Sequence, residues 1–186
     1  MSLPKTDATT SCTADDYWNL PDGTRAELID GRLYDMTPPS RIHQDIVGGI
    51  YAELRAHTRE HGGPCRVYPA PFAVNLRADD STYVEPDVSV ICDPAKLSER
   101  GCEGAPDLVV EVVSPSSQSR DYFKKAGLYE SAGVKEYWIV DPACQKTTVC
   151  RFTAETGPLA IFRFDEPIPV GIWDNAVNII VAELLR

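Results

Sequence analysis

Two acids stand where apolar side chains are expected. Glu111 lies inside Asp107-Leu-Val-Val-Glu-Val-Val113, and Asp87 inside Tyr83-Val-Glu-Pro-Asp-Val-Ser-Val-Ile91. The first run is bounded by Pro106 and Ser114-Pro115. A short β-branched run between turn residues reads as a strand covered on both faces. A carboxylate there faces a large desolvation cost unless something positive meets it. Spacing alone leaves two readings open. Either the acids share a divalent cation in a metal-assisted enzyme, or each is held at a strand end by an Arg, a Lys or a backbone N–H. Side chains alternate along a strand, so Glu85, Asp87 and Ser89 share one face, as do Asp107, Val109, Glu111 and Val113. If the two strands pair, Asp87 and Glu111 converge on one edge. Hard oxygen donors of this kind suit Mg²⁺ or Mn²⁺ better than zinc.

Lys125 follows Glu111 on a helical stretch. Asp121, Lys125 and Tyr129 fall at i, i+4 and i+8 and share a stripe. That stripe can aim Lys125 at the acids, or Asp121 and Lys125 can form a surface ion pair. Lys124 reads as a surface lysine. His43 falls on the apolar stripe of its helix with Val47, Ile50 and Leu54, in a first turn whose free N–H groups favour anions. It is a ligand-facing group or a histidine buried against a sheet. Glu27 sits in a hairpin, where a solvated strand charge is the simpler reading. His57 and His61 have chelating spacing but no third ligand in view. No G-x-S-x-G, P-loop or dinucleotide fingerprint occurs. A glycosidase pair of carboxylates would need an open sugar cleft that nothing here marks.

The elements that must position these residues follow from pattern. Thr13 caps a short helix running to about Leu20. Asp30-Gly31 between two alternating runs predicts a tight hairpin over Arg25 to Met36. Ser40 caps a helix carrying Ile42, Ile46, Val47, Ile50, Tyr51 and Leu54, which Gly62-Gly63-Pro64 ends. Strands are expected at about 65–76, 82–92 and 106–113, with a polar loop over 93–105. A helix from about Ser117 to Ala132, closed by Gly133, precedes a strand at Glu136 to Asp141. Short strands at 144–153, 158–165 and 168–173 and a last helical turn from Val181 complete the chain. This order predicts one α/β domain on a mixed sheet.

Bulk properties narrow the classes. The 186 residues suit one domain. A 43% hydrophobic and 25% charged composition is globular. No apolar window predicts a membrane span, and residues 1–12 read as a flexible lead-in without a signal core. Six cysteines without a C-x-x-C pair read as reduced thiols of a cytoplasmic protein. A net charge of −10 works against bulk attraction to nucleic acid.

The ordered motifs resemble a known family. They are Glu-Leu-Ile-Asp-Gly (27–31), Pro-Pro-Ser-Arg-Ile-His-Gln (38–44), Tyr-Pro-Ala-Pro-Phe (68–72), Glu-Pro-Asp-Val (85–88) and Gly-Ala-Pro-Asp-Leu-Val-Val-Glu-Val-Val-Ser-Pro-Ser (104–116). Asp121, Lys125, Tyr129 and Gly133-Val-Lys-Glu-Tyr-Trp-Ile-Val-Asp-Pro142 complete the set. Together they are similar to the Uma-two family, bacterial restriction-endonuclease-like proteins of the PD-(D/E)XK nuclease superfamily. The resemblance covers nearly the whole chain from Thr13 onward. It implies an α/β (α+β) restriction-endonuclease-like single domain over residues 13–186, with a mixed β-sheet flanked by helices and extra C-terminal strands. It implies that Asp87 and Glu111, with the backbone carbonyl of Val112, hold Mg²⁺ or Mn²⁺. The superfamily lysine would fall at Val113, a departure, and the resemblance moves it to Lys125. Glu27 matches an additional acid, and His43 matches a position near the site, where it would contact phosphate or hold Glu27. The expected activity is metal-dependent hydrolysis of phosphodiester bonds, with DNA as partner and no membrane. Two alternatives stand beside it: a nuclease-fold module that binds or assembles without catalysis, and a hydrolase of RNA or nucleotides. The oligomeric state is open, a homodimer being one option.

Overall fold

The structure is a computed structural model, and it describes residues 11–114, 120–153 and 159–186. The chain opens with α1 (Ala14–Trp18), which Thr13 and Asp16 close in a reciprocal capping box. Strands β1 (Ala26–Ile29) and β2 (Arg32–Asp35) form the expected hairpin. Asp30 and Gly31 both take positive φ, 49° and 72°, which the tight turn demands. Ser40 caps α2 (Arg41–His61) by accepting from the His43 N–H, and Gly62 ends it. Then come β3 (Arg66–Pro69), β4 (Val74–Asn75), β5 (Tyr83–Val84), β6 (Val88–Ile91), β7 (Cys102–Glu103) and β8 (Leu108–Val112). A π-helical turn at Arg120–Lys125 leads into α3 (Ala126–Ala132), and Gly133 stops it in the left-handed region. The remaining strands are β9 (Glu136–Asp141), β10 (Lys146–Arg151), β11 (Leu159–Arg163), β12 (Ile168–Pro169) and β13 (Asn178–Ile179).

Among the described residues the strands build two main sheets. One has six strands in the order β11-β10-β9-β8-β6-β3. It is mixed, since β8 and β9 run parallel and the other neighbours antiparallel. The other has the order β2-β1-β5-β4-β7. The central position of β8 explains why apolar side chains lie on both of its faces. Val110 and Val112 pack with Ile46, Val47, Ile50 and Leu54 of α2 on one face. Val109 and Val113 pack with Leu128 and Tyr129 of α3 on the other. Each side chain so buried contributes about 1.5–3 kcal/mol. The β12–β13 pair carries Ile168 and Ile179 onto the α2 side of the core. No helix among the described residues is long and apolar enough to cross a membrane.

The structure corrects four expectations. The strand expected at 168–173 ends at Pro169, and Gly171–Trp173 forms a 3₁₀ turn. The strands expected at 65–76 and 82–92 are each broken in two, because the chain changes sheets within them. β3 and β6 belong to the six-stranded sheet, β4 and β5 to the other. The breaks fall at the cis Ala70–Pro71 peptide and at Glu85-Pro86, where proline cannot donate to a ladder. The loop over 93–105 holds a short 3₁₀ turn at Pro94–Lys96 and β7. Cys65 and Cys92 form a disulfide instead of remaining thiols. The β3–β6 register pairs Arg66 with Ile91, and the next pair outward is Cys65 with Cys92. A separation of 27 residues hides that opposition. The cysteine pattern therefore loses its force as an argument for a reducing compartment. The lead-in residues 1–10, the helix start at 117–119 and the strand start at 158 lie outside the described residues.

Candidate functional site

Asp87 immediately precedes β6, and Glu111 is the fourth residue of β8. The β6–β8 register pairs Val88 with Val110. Carried one residue further, it sets Asp87 opposite Glu111, and opposed residues share a face. The Asp87 carboxylate completes the ladder where the β6 backbone leaves it. Its Oδ2 accepts from the Val112 N–H at 2.7 Å. Its Oδ1 lies 3.0 Å from His43 Nε2. Ser40 fixes the start of α2, so the first helical turn delivers His43 to this point. The histidine thus orients Asp87 and not Glu27. His43 Nδ1 is buried without a hydrogen-bond partner among the described residues.

Glu111 occupies the α3 face of the sheet and is 5% exposed. Its Oε1 accepts from Lys125 Nζ at 2.8 Å and from the Tyr129 hydroxyl at 2.7 Å. Lys125 and Tyr129 stand one helical turn apart, so one stripe supplies both donors. The π-helical turn ends at Lys125, a local distortion that often accompanies functional positions. Lys125 is 3% exposed, which rules out its reading as a surface lysine. The Asp121 side chain lies outside the described part of the structure. Lys124 is exposed, donates to the Tyr34 hydroxyl at 2.7 Å and sits 4.7 Å over that ring. Burial first, then the negative charge of Glu111, pushes the Tyr129 phenol well above its ordinary value of 10.0. It therefore stays a proton donor to Glu111.

Glu27 joins from the other sheet. It is 1% exposed, so it is not the solvated strand charge its hairpin suggested. Its Oε1 accepts from Lys125 Nζ at 2.8 Å and from the Glu85 N–H at 3.1 Å. Lys125 thereby ties β1 to β8. The structure gathers Glu27, Glu111 and Lys125 around one ammonium, and Asp87, His43 and Val112 around one carboxylate. His57 and His61 stand apart at the end of α2, their rings stacked at 4.2 Å. Sequence reasoning placed Tyr129 on the stripe without giving it a role, although its i+4 spacing from Lys125 was the available signal.

The donor chemistry fits a hard divalent cation. Asp87 and Glu111 offer carboxylate oxygens, and each is held in place by protein N–H or O–H groups. Among the described residues no three His, Cys, Asp or Glu side chains gather closely enough to hold a metal by themselves. A sparse set of two carboxylates suits Mg²⁺, which keeps several waters, and suits zinc poorly.

Comparison with known proteins bears on the family and the fold. The relative slr1290, an uncharacterized protein of Synechocystis, is 31% identical over 124 residues. That match covers 66% of this chain and 64% of the relative, so the chain spans less than two thirds of the relative's length. A crystal structure from Anabaena variabilis, described as "a putative nuclease belonging to DUF820", superposes with a TM-score of 0.73 at 21% identity. It covers 92% of this chain and 96% of its own, and at that identity it shows a shared fold. A family model described as "Uma2: Putative restriction endonuclease" matches residues 14–170. That span holds Glu27, His43, Asp87, Glu111 and Lys125, and the chain belongs to the Uma2 family.

Proposed function

We propose that this protein is a metal-dependent nuclease that hydrolyses phosphodiester bonds in DNA. One observation carries the reading: a buried lysine reaches Glu111 from the following helix, while Asp87 is held by the amide of Val112, the next residue of the same strand. Acids on neighbouring strands and a lysine tip beside them form a constellation suited to phosphoryl transfer. Asp87, Glu111 and the Val112 carbonyl would hold Mg²⁺ or Mn²⁺. When bound, the ion supplies neutralisation of phosphate charge and acidifies its water.

The chain's own groups do the rest. Lys125 directs N–H donors and positive charge at the attacking water or a non-bridging phosphate oxygen. Tyr129 and Lys125 hold the Glu111 carboxylate in one orientation. His43 does the same for Asp87. Glu27 pairs with Lys125 and anchors it. Cleavage of plasmid and linear DNA in Mg²⁺ or Mn²⁺ tests the reading, with RNA and nucleotides as parallel substrates. Activity that Asp87→Asn retains would overturn it.

A second reading has one observation on its side. Lys125 bridges Glu27 and Glu111 in a closed buried network, which a non-catalytic module could keep for assembly. Such a module binds no stoichiometric Mg²⁺, and a calorimetric titration separates the two.

A further inference from the structure

A cleft of about 490 Å³, walled in part by Glu85 two residues before Asp87, has no role in the hydrolytic chemistry above. That size falls within the roughly 300–1,000 Å³ typical of small-ligand sites. Four of the twelve residues that line it are aromatic. Tyr17 and Trp18 come from α1, Tyr68 from β3 and Phe72 from the turn after it, while Glu85, Glu99 and Arg100 add charge. These rings are not all core. Trp18 is 38% exposed, and Tyr68 and Phe72 are half-buried. Tyr68 and Phe72 stack with centroids 4.3 Å apart and planes 3° from parallel. The Arg100 guanidinium stands 5.3 Å over the Trp18 ring.

The cleft and the acids are built on the same strands. Tyr68 pairs with Ser89, two residues from Asp87, so Tyr68 and Asp87 share a face. The Ala70 N–H donates to the Asp87 carbonyl at 3.0 Å, one residue before the cleft wall resumes at Pro71. On the other side, the Glu85 N–H donates to Glu27. Hydrogen bonds of the Ala70 and Glu85 amides thus tie the segments that wall the cleft to Asp87 and Glu27.

We infer that this cleft receives an unpaired nucleobase of the strand being cleaved, so that the substrate class is single-stranded or locally unpaired DNA. The inference rests on the nuclease reading of the acid cluster. Parallel rings stack on the flat π-face that every base carries. The guanidinium over Trp18 suits a neighbouring phosphate. A base inside an intact duplex is stacked and paired and cannot enter such a cleft without being extruded.

The test measures binding by fluorescence anisotropy in EDTA, where metal-dependent hydrolysis cannot run. The probes are a labelled oligothymidylate, an abasic oligomer of equal length and the corresponding duplex. The wild type should bind oligothymidylate at least about five-fold more tightly than either control, the lower end of one stacked base. Trp18→Ala, at an exposed ring, should erase that preference, as should Phe72→Ala. Should Phe72→Ala fail to fold by circular dichroism, Trp18→Ala and Arg100→Gln carry the test. Equal wild-type binding of oligothymidylate and abasic oligomer overturns the inference. So does a preference that survives in folded variants, or no binding of any probe. Cleavage in Mg²⁺ is scored separately. Cleavage without base preference leaves the nuclease reading standing and removes this one. Base-dependent binding without cleavage keeps the cleft and removes the hydrolytic reading.

Discussion

Lys125 Nζ lies 2.8 Å from Glu27 Oε1, although 98 residues separate the two. Both side chains are buried, and the pair joins a helix beside one sheet to a strand of the other. Removing one member of such a cluster leaves an uncompensated buried charge. Lys125→Met should therefore cost about 3–5 kcal/mol of stability. Adding Glu27→Gln should recover part of that loss, because it removes one of the stranded charges. Chemical denaturation of the single and double variants measures the coupling. Independent, additive losses would show that the two residues do not act as a unit.

The neighbouring lysine is the internal control. Lys124 is exposed and engages Tyr34, so Lys124→Met should cost at most about 1 kcal/mol. DNA cleavage should persist in Lys124→Met and fall by orders of magnitude in folded Lys125→Met, since the Lys125 contact matters chiefly in the transition state. Equal losses in the two variants would remove Lys125 from the mechanism.

Mg²⁺ or Mn²⁺ that binds only the folded protein should raise its melting temperature. Asp87→Asn should abolish that rise. Differential scanning fluorimetry of the variant and the wild type at matched ion concentrations measures the two shifts. Identical shifts in both proteins would place the ion elsewhere.

His43 acts on Asp87 through a single contact of 3.0 Å. Supporting contacts of this kind typically change metal affinity about 10–100-fold. Calorimetry of His43→Ala should show Mg²⁺ binding weakened by that order while the fold persists. Unchanged affinity would reduce the contact to a structural one.

Glu136 lies at a separate cleft, where burial raises its pKa above the ordinary 4.5 despite hydrogen bonds from Trp138 and Ile172 and the nearby Arg151. Between 4.5 and the raised value the folded state holds a proton that the unfolded state has released. This contribution to stability is fully present below pH 4.5 and fades as pH rises through the raised value. The stability difference between the wild type and Glu136→Gln should fall across that window. Urea unfolding at a series of pH values measures it, and a flat difference would mean that Glu136 ionises alike in both states.

Much of the local architecture was legible in the residues themselves. Thr13 and Ser40 announced their helices, Asp30-Gly31 its hairpin and Gly133 its helix stop, because caps and turns are chosen by neighbours a few positions away. The apolar run around Glu111 announced a strand covered on both faces. What sat outside the reach of pattern was every choice made between distant elements. Alternation could not tell that the runs at 65–76 and 82–92 change sheets midway, nor that Cys65 faces Cys92. Periodicity put Lys125 and Tyr129 on one stripe, but only packing turned the two inward and gave Lys125 the buried partners Glu27 and Glu111. The aromatic cleft is the strongest case. Tyr17, Trp18, Tyr68, Phe72 and Arg100 are scattered along the chain and show no common period. Short-range sterics and hydrogen bonding write secondary structure into adjacent residues, whereas a site assembled across sheets exists only once burial has selected which faces meet.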